Sequence, residues 1–214
     1  MIFFEAWFFK HWVITVEVSK AIESRRSINI FDPECTISES EVHELIKAAN
    51  HSPSAFNIQH WRFVWLRDEA VQQQAKEACW FQPQVIDASA TLLICMDFKA
   101  WQKQPERYWQ NAPAEVAEAQ IRNSQAIYAN NPQLEREEGV RSASMAAMAI
   151  MIKAMDMGYE SCAMACDVEK MGAIIHLPED HAICMALAIG KRLKEPFPRP
   201  GLLSVDDVLV VDKF

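Results

Sequence analysis

Glycine is scarce in this chain. Only five of its 214 residues are glycine, at positions 139, 158, 172, 190 and 201. No two of them are close enough to build GxGxxG or GxxxxGK(S/T), the loops whose backbone N–H groups cradle phosphates. If the protein binds a phosphate, side chains must therefore hold it.

Paired metal-binding motifs are also missing. The six cysteines form no CxxC pair and stand at positions 35, 79, 95, 162, 166 and 184. Cys162 and Cys166 are four residues apart, but the second ligand pair of a zinc site is absent. We expect no metal site, and reduced, buried thiols in a cytoplasmic protein. For Cys166 a structural role is favoured over a redox role, because no activating base is evident nearby. The histidines at 43, 51, 176 and 181 are expected at the surface or at helix ends.

The chain has neither a basic tract nor a membrane-spanning run. A net charge of -8 argues against nucleic acid as a partner. Residues 1–12 are strongly aromatic, but Glu5, Lys10 and His11 interrupt them well short of the about 20 residues that a span needs. They also lack the features of a signal peptide. We expect an aromatic N-terminal extension, residues 1–14, that docks on the body or on a partner subunit, and one domain, residues 15–214.

Hydrophobic periodicity predicts more helices than strands. Helices are expected at residues 15–24, 38–50, 68–80, 114–128 and 133–157, and strands at 63–66, 90–98, 182–190 and 208–211. Since strands and helices do not alternate strictly, the fold class is α+β, with one sheet flanked by helices. Residues 142–152 are apolar nearly all round, which is typical of a helix buried on every side, as at a tight subunit interface.

Two short segments carry polar groups suited to binding. Residues 52–63 place Asn57 and Gln59 on one loop, where their amides could recognise the edge of a flat heteroaromatic ring. A surface turn with self-satisfied amides is an equal alternative. Arg25, Arg26 and Ser27 follow the first helix and form a compact anion site. The alternative is a solvated helix end, where cations are favourable anyway.

Taken together, these segments resemble the nitroreductase family of FMN-dependent enzymes. The resemblance joins Arg25-Arg26-Ser27 to Ser-Pro-Ser-Ala-Phe-Asn-Ile-Gln-His-Trp at 52–61. It continues through residues 87–89, the alanine- and methionine-rich helix ending at Gly158, residues 163–166, Gly190 and Arg199. It therefore spans about residues 18 to 212. It implies a central, mostly antiparallel sheet flanked by helices in an intertwined homodimer.

The resemblance also implies a set of cofactor contacts. The phosphate would be held by Arg25, Ser27 and Arg199, with Arg26 and Asn29 on the ribityl or pyrimidine side. The loop that forms one wall of the pocket comprises Pro53, Ser54, Ala55, Asn57 and Gln59; Ser54, Asn57 and Gln59 would face the flavin of the other subunit. The remaining expected contacts are Gln84 at the isoalloxazine edge and the backbone of Met164 and Ala165 beside N5.

Three departures from the family pattern stand out. His60 replaces the usual proline, residues 163–166 replace a segment usually rich in Pro and Gly or carrying Glu, and Phe197 stands where many members have Lys. Four aromatic residues could cap a substrate pocket or equally pack in the core: Trp80, Trp101, Tyr108 and Trp109.

The function implied is an FMN-dependent oxidoreductase. It would pass hydride from NADH or NADPH through flavin N5 to a small electron-poor acceptor, such as a nitroaromatic or quinone, in ping-pong order. No side-chain acid or base is required, so no catalytic residue is expected. One alternative is a specialised branch, a reductive dehalogenase or flavin-fragmenting enzyme, with residues 99–131 as a lid. The other is a flavin-binding carrier or sensor without turnover.

Overall fold

A computed structural model of the protein describes residues 16–214. The expected extension, residues 1–14, and the expected first residue of the first helix, Thr15, lie outside the described residues. The helices are α1 (Val18–Ser24), α2 (Glu39–Asn50), α3 (Glu69–Ala78), α4 (Gln84–Asp87), α5 (Ala114–Tyr128), α6 (Pro132–Asp156), α7 (Val168–Ile174) and α8 (Val205–Val208). The strands are β1 (Trp61–Leu66), β2 (Ala90–Asp97), β3 (Glu160–Met164) and β4 (His181–Gly190).

The four strands form one antiparallel sheet in the order β1-β2-β4-β3. All eight residues of β2 are buried, because helices cover the sheet on both faces. On one face, α2 and α6 pack against the side chains of Leu92 and Ile94. On the other face, α3, α4 and α7 pack against Leu93 and Cys95. The expected α+β class with a flanked antiparallel sheet is confirmed.

The observed strands differ from the expected ones at two places. The sequence predicts no strand at β3, because Glu-Ser-Cys-Ala-Met shows no alternation of polar and apolar residues; pairing with β4 makes this segment a strand. The strand expected at 208–211 is wrong. Val208 is instead the last residue of α8, and residues 209–211 are neither helix nor strand. Ser204 and Asp207 form a reciprocal capping box, which favours the helical turn.

The long helix α6 is not buried on every side within one chain. Ala143, Ala147 and Ile150 are fully buried against the sheet. Met145 and Met148, however, expose 40% and 38% of their surface. One apolar face of α6 therefore has no covering element among the described residues, so burial all round, expected as at a subunit interface, stays a prediction. No helix in the described part of the chain is long and apolar enough to cross a membrane.

Two buried carboxylates fix the segment that follows β2. Glu135, on α6, accepts hydrogen bonds from Trp101 Nε1 at 2.7 Å and from Lys99 Nζ at 2.7 Å. Asp97, at the end of β2, accepts from Lys103 Nζ at 3.0 Å and from Arg62 Nη2 at 3.2 Å. A buried charge is tolerated only when it is paired and hydrogen-bonded, as both of these are. Trp101 is therefore a core residue.

His60 is fully buried at the start of β1, where the family pattern has proline. Its carbonyl oxygen accepts a hydrogen bond from Asp97 N at 2.8 Å, and its ring lies edge-on to Tyr128, 6.4 Å between centroids. Neither ring nitrogen has a hydrogen-bond partner among residues 16–214. Burial lowers the pKa of His60 from 6.5 to about 4; the charge of Asp97 opposes this shift and that of Arg62 adds to it. His60 is therefore neutral in the folded protein near neutral pH.

This burial predicts a pH-dependent stability. The unfolded chain protonates His60 below about pH 6.5, whereas the folded chain does so only near pH 4. We expect this group to remove about 3 kcal/mol from the free energy of unfolding between those pH values, and nothing further below them. Urea unfolding at pH 4.5 to 7.5 should show the loss in the native protein and not in His60→Leu. His43→Gln, at an exposed helical position, is the control. Parallel pH profiles for native protein and His60→Leu would contradict the assignment.

Candidate cofactor site

Three arginines from distant parts of the sequence meet at the end of α1. Arg199 Nη2 donates to the carbonyl oxygens of Glu23, at 3.2 Å, and Arg25, at 2.9 Å. Arg26 Nη2 donates in turn to the carbonyl oxygen of Phe197, at 2.5 Å. The C-terminal segment is thereby held against the loop that leaves α1, and the structure brings the predicted Arg25, Arg26 and Arg199 together.

The charge of this arginine cluster is uncompensated within residues 16–214. None of the three guanidinium groups forms an ion pair with a carboxylate there. Arg192, at the end of β4, is the contrast, because it pairs with Glu160 and Glu195. Guanidinium groups that bond only to carbonyl oxygens keep spare N–H donors and full charge, which is the donor set that suits a phosphate.

The loop after the arginines lies along β3. Ser27 and Ser161 form an isolated parallel bridge, and Ile28 N donates to the carbonyl oxygen of Ser161 at 3.2 Å. The predicted residues Met164 and Ala165 come at and just after the end of this strand; Met164 is buried and Ala165 exposed. Asn29 is exposed two residues after Ser27. One edge of the sheet therefore carries the arginines, Ser27 and the expected N5-side backbone.

Two buried polar atoms near these elements have no partner in the described chain. They are Ser161 Oγ on β3 and Gln84 Oε1 at the start of α4. Gln84 exposes only 6% of its surface, so its amide oxygen lies away from solvent without a donor. An unsatisfied buried oxygen costs about 1–3 kcal/mol, so each is an acceptor for which a donor would be favourable.

The amide loop, residues 54–59, has an unusual backbone. Phe56, Asn57 and Gln59 all have left-handed φ values, of 52°, 54° and 52°. Gln59 N donates to Ser54 Oγ at 3.0 Å, which closes the loop, and Asn57 Nδ2 donates to the carbonyl oxygen of Tyr108 at 2.8 Å. Left-handed backbone costs a non-glycine residue roughly 1–2 kcal/mol, so packing elsewhere must hold the loop in this shape.

That packing comes from the two apolar residues of the loop. Ile58 is buried with Trp101 and Tyr128, and Phe56 meets Tyr128 edge-on at 6.0 Å between ring centroids. With these side chains turned inward, Asn57 stays exposed and Gln59 half-exposed. Pro53 and Ala55 frame the turn, exposed and half-buried respectively. Packing therefore fixes the shape of the amide loop, and the Gln59 amide is satisfied within it: Gln59 Nε2 donates to the carbonyl oxygen and to Oδ1 of Asn57, both at 3.3 Å.

Two cavities adjoin the amide loop. One of about 520 Å³ is lined by Gln59, Trp61, Arg62, Arg107 and Tyr108 among others. The second, about 380 Å³, is lined by Asn57, Gln59, Tyr108 and Trp109 among others. Tyr108 and Trp109 thus border a candidate substrate space, whereas Trp80 is 58% exposed and lines neither cavity. Arg62 and Arg107 were missed by sequence reasoning, since no motif marks them.

The two parts of the candidate site lie at diagonally opposite corners of the sheet. Trp61, next to the amide loop, is level with Met96 and Ala182, whereas Ser161 on the far edge strand is level with Ile189. Three strand spacings of about 4.8 Å, and about 3.4 Å per residue along β2 between the level positions Met96 and Ala90, separate Trp61 from Ser161 by roughly 25 Å. One chain therefore does not place its arginine cluster and its own amide loop around a single three-ring heteroaromatic.

An acidic cluster beside this region is an ion-pair network. Asp97, Asp180 and His181 bring possible metal-ligating atoms within 4.8 Å of one another. Lys103 Nζ, however, donates to Asp97 at 3.0 Å and to Asp180 at 2.6 Å, and Arg62 also pairs with Asp97, so two cationic side chains already balance the two carboxylates. The hydrogen bond from Lys103 is the main cause that lowers the pKa of Asp180. His181 is half-buried in this network and not at the surface as predicted.

Comparisons with known proteins point in one direction. The sequence model described as Nitroreductase family matches residues 22–191. Protein DrgA of Synechocystis sp. is 40% identical over 199 residues, which are 90% of this chain and 95% of DrgA. An NADH dehydrogenase of Thermus thermophilus is 29% identical over 189 residues, 86% of this chain and 90% of that protein.

A solved structure shares the fold. It is described as a nitroreductase in complex with FMN, from Exiguobacterium sibiricum, and it superposes with a TM-score of 0.85 at 24% identity, covering 91% of this chain and 97% of that chain. The family match covers most of the chain, and the relative at 40% identity covers nearly all of it. With the sheet and arginine cluster described above, these matches show that the chain belongs to the nitroreductase family.

Proposed function

We propose that the protein is an FMN-dependent oxidoreductase that uses NADH or NADPH and works as a homodimer. The observation that carries the proposal is the arginine cluster, three guanidinium groups without a carboxylate partner among residues 16–214 in a chain of net charge -8. Family membership and the FMN complex of a fold neighbour support the identity of the ligand.

The residues present fit the phosphate end of FMN. Arg25, Ser27 and Arg199 would bind the phosphate, and Arg26 and Asn29 would contact the ribityl chain or the pyrimidine. In this arrangement charged side chains bind the phosphate in place of the backbone N–H groups of a glycine-rich loop. This agrees with the absence of such a loop from the sequence. The unpartnered Gln84 oxygen is an acceptor for an N–H at the edge of the ring system.

Bound FMN supplies the redox chemistry, accepting and passing on a hydride. The chain supplies position and electrostatics. The backbone of Met164 and Ala165 would orient the ring on one side. N–H donors and the Arg26 guanidinium near the pyrimidine would stabilise negative charge there. No side-chain acid or base has to act, so none is assigned as catalytic.

The acceptor would bind beside the amide loop. Tyr108 and Trp109 offer aromatic surface to a flat ring, and Arg107, which has no carboxylate partner among residues 16–214, offers positive charge to nitro or quinone oxygens. Because the arginine cluster and the amide loop are roughly 25 Å apart across one sheet, we infer that a complete site takes its amide loop from a second copy of the chain.

Apolar surface that residues 16–214 leave uncovered supports the second copy. A groove of about 620 Å³ runs between α1 and α6 and is lined by Val18, Ala21, Met145, Met148 and Ile152 among others. The C-terminal segment is also bare: Leu202 exposes 80% of its surface and Leu203 74%. Monomeric soluble proteins rarely leave such contiguous apolar surface uncovered.

The proposed reaction is tested by turnover. Purified protein should be yellow, and NADH or NADPH added without oxygen should bleach its flavin absorbance, because the bound flavin becomes reduced. Menadione or a nitrofuran should then restore the colour and support steady-state oxidation of the nicotinamide. Protein stripped of FMN is the control and should be inactive until reconstituted. FMN-loaded protein that is never reduced by either nicotinamide would favour a carrier or sensor instead.

The phosphate assignment is tested by comparing two flavins. Losing charge-assisted hydrogen bonds from Arg25→Ala with Arg199→Ala should weaken FMN binding about 10- to 100-fold. Riboflavin has no phosphate, so its affinity should barely change. Fluorescence titration of stripped protein measures both constants. The control is Arg192→Ala, whose guanidinium is already paired with carboxylates. Equal losses for FMN and riboflavin would show that the arginines do not bind the phosphate.

The dimer assignment is tested at the apolar face of α6. Met148→Glu places a charge in the groove and should convert a particle of twice 24.4 kDa into one of 24.4 kDa, with loss of bound FMN. Light scattering after size exclusion gives the mass. Ile127→Glu, on α5 and 44% exposed, is the matched control and should leave the dimer intact. A folded Met148→Glu protein that remains dimeric and yellow would place the interface elsewhere.

A further inference from the structure

Two cysteines far apart in the sequence meet beneath the sheet. Cys79 caps the C-terminal end of α3, and Cys166 lies in the turn between β3 and α7. Each thiol is the largest influence on the pKa of the other. Both belong to the apolar cluster that α3 and α7 form with the sheet. The pair was not visible in the sequence, where Cys166 has no activating neighbour.

The main chain holds the two residues side by side. Asp167 N donates to the carbonyl oxygen of Ala78 at 2.8 Å. The hydrogen-bonded peptide groups are Ala78–Cys79 and Cys166–Asp167, so each cysteine belongs to one of them. Their Cα atoms are therefore close neighbours, as a disulfide with its usual Cα separation of about 4.4–6.8 Å requires.

Both sides of this contact are anchored. Cys79 N donates to the carbonyl oxygen of Ala75 at 2.9 Å, within the last turn of α3. On the other side, Asp167 Oδ1 caps α7 by accepting from Lys170 N at 3.1 Å. Both cysteines therefore stand on backbone that is held in place by hydrogen bonds.

The two thiols differ in access and acidity. Cys79 is fully buried, whereas Cys166 is half-buried. Contact with Cys79 lowers the pKa of Cys166, while burial and the charge of Asp167 oppose that lowering; contact with Cys166 and burial raise the pKa of Cys79. The more accessible sulfur therefore meets the peroxide first, and the buried one is placed to react second.

We propose that Cys79 and Cys166 form a redox-active pair that is oxidised to a disulfide by hydroperoxides. The Cys166 thiolate attacks the peroxide oxygen; an S–O bond forms, the O–O bond breaks, and water or an alcohol leaves as a sulfenic acid is made. The sulfur of Cys79 then attacks that sulfenic sulfur. The S–S bond forms, the S–O bond breaks, and the hydroxyl leaves with the Cys79 proton as water. The dithiol loses two electrons, and the peroxide gains them.

Cys35 and Cys184 lack this arrangement. Cys35 Sγ contacts the carbonyl oxygen of Thr36 at 3.9 Å, and Cys184 Sγ contacts Ser144 Oγ at 3.6 Å. Both are half-buried like Cys166, so access alone does not select the proposed pair. Cys184 therefore gives a matched control. The proposal does not depend on bound FMN and can be tested on protein with or without it.

The test maps thiols after mild oxidation. Fully reduced protein is freed of reductant, treated with a small excess of hydrogen peroxide, alkylated and digested without reduction. We expect a peptide linking position 79 to position 166, with two of the six thiols lost, and its disappearance after dithiothreitol. Cys184→Ser should form the same link. Six alkylated thiols at a peroxide dose that oxidises an exposed thiol on a reference protein would overturn the proposal, as would a link between other cysteines.

Single variants separate the two roles. In Cys79→Ser the reaction should stop at the first stage, so dimedone should label Cys166; in Cys166→Ser neither a link nor a label at Cys79 should form. Circular dichroism establishes that each variant is folded. Dimedone labelling of Cys79 in Cys166→Ser, or an unlabelled Cys166 in folded Cys79→Ser, would contradict the assigned order.

Discussion

The antiparallel pairing of β2 with β4 is the constraint on which the rest of the structure depends. These two strands are the longest in the sheet and pair along their length, with every residue of β2 buried between the two layers of helices. β1 and β3 can then add only at opposite edges. The loop after the arginine cluster attaches to β3 through Ser27 and Ser161, while the amide loop leads into β1. Sheet order therefore decides which functional groups a single chain can bring together.

Buried polar groups divide into two kinds around this sheet. Glu135 and Asp97 are fully engaged with lysine, arginine and tryptophan donors, and they hold the segment after β2 in place. Gln84 Oε1 and Ser161 Oγ lack partners among residues 16–214, as do Ser142 Oγ and the ring nitrogens of His60. An unsatisfied buried oxygen lowers the stability of the fold. A ligand that supplies a hydrogen-bond donor to that oxygen would offset the loss.

Much of this architecture could be read from local pattern. The bounds expected for α5 coincide with the observed Ala114–Tyr128, and the apolar run of β2 ends within one residue of its prediction. β3 could not be predicted, because tertiary pairing and not composition makes residues 160–164 a strand. The left-handed residues of the amide loop were equally hidden, since packing of Ile58 and Phe56 overrides their intrinsic preference. Contacts between distant segments, such as Arg199 with Glu23 of α1 and Cys79 with Cys166, cannot be predicted from sequence spacing.

The scarcity of glycine explains why the site takes this form. Glycine loops bind phosphate with backbone N–H groups that belong to one short segment, so such a site can be complete within one chain. Side-chain ligands must instead be gathered from wherever the fold exposes them, here the end of α1 and the C-terminal segment. These side chains lie at the edge of the sheet far from the amide loop. In the proposed dimer, the apolar face on α6 and the exposed C-terminal segment would provide the surface on which a second chain brings the amide loop.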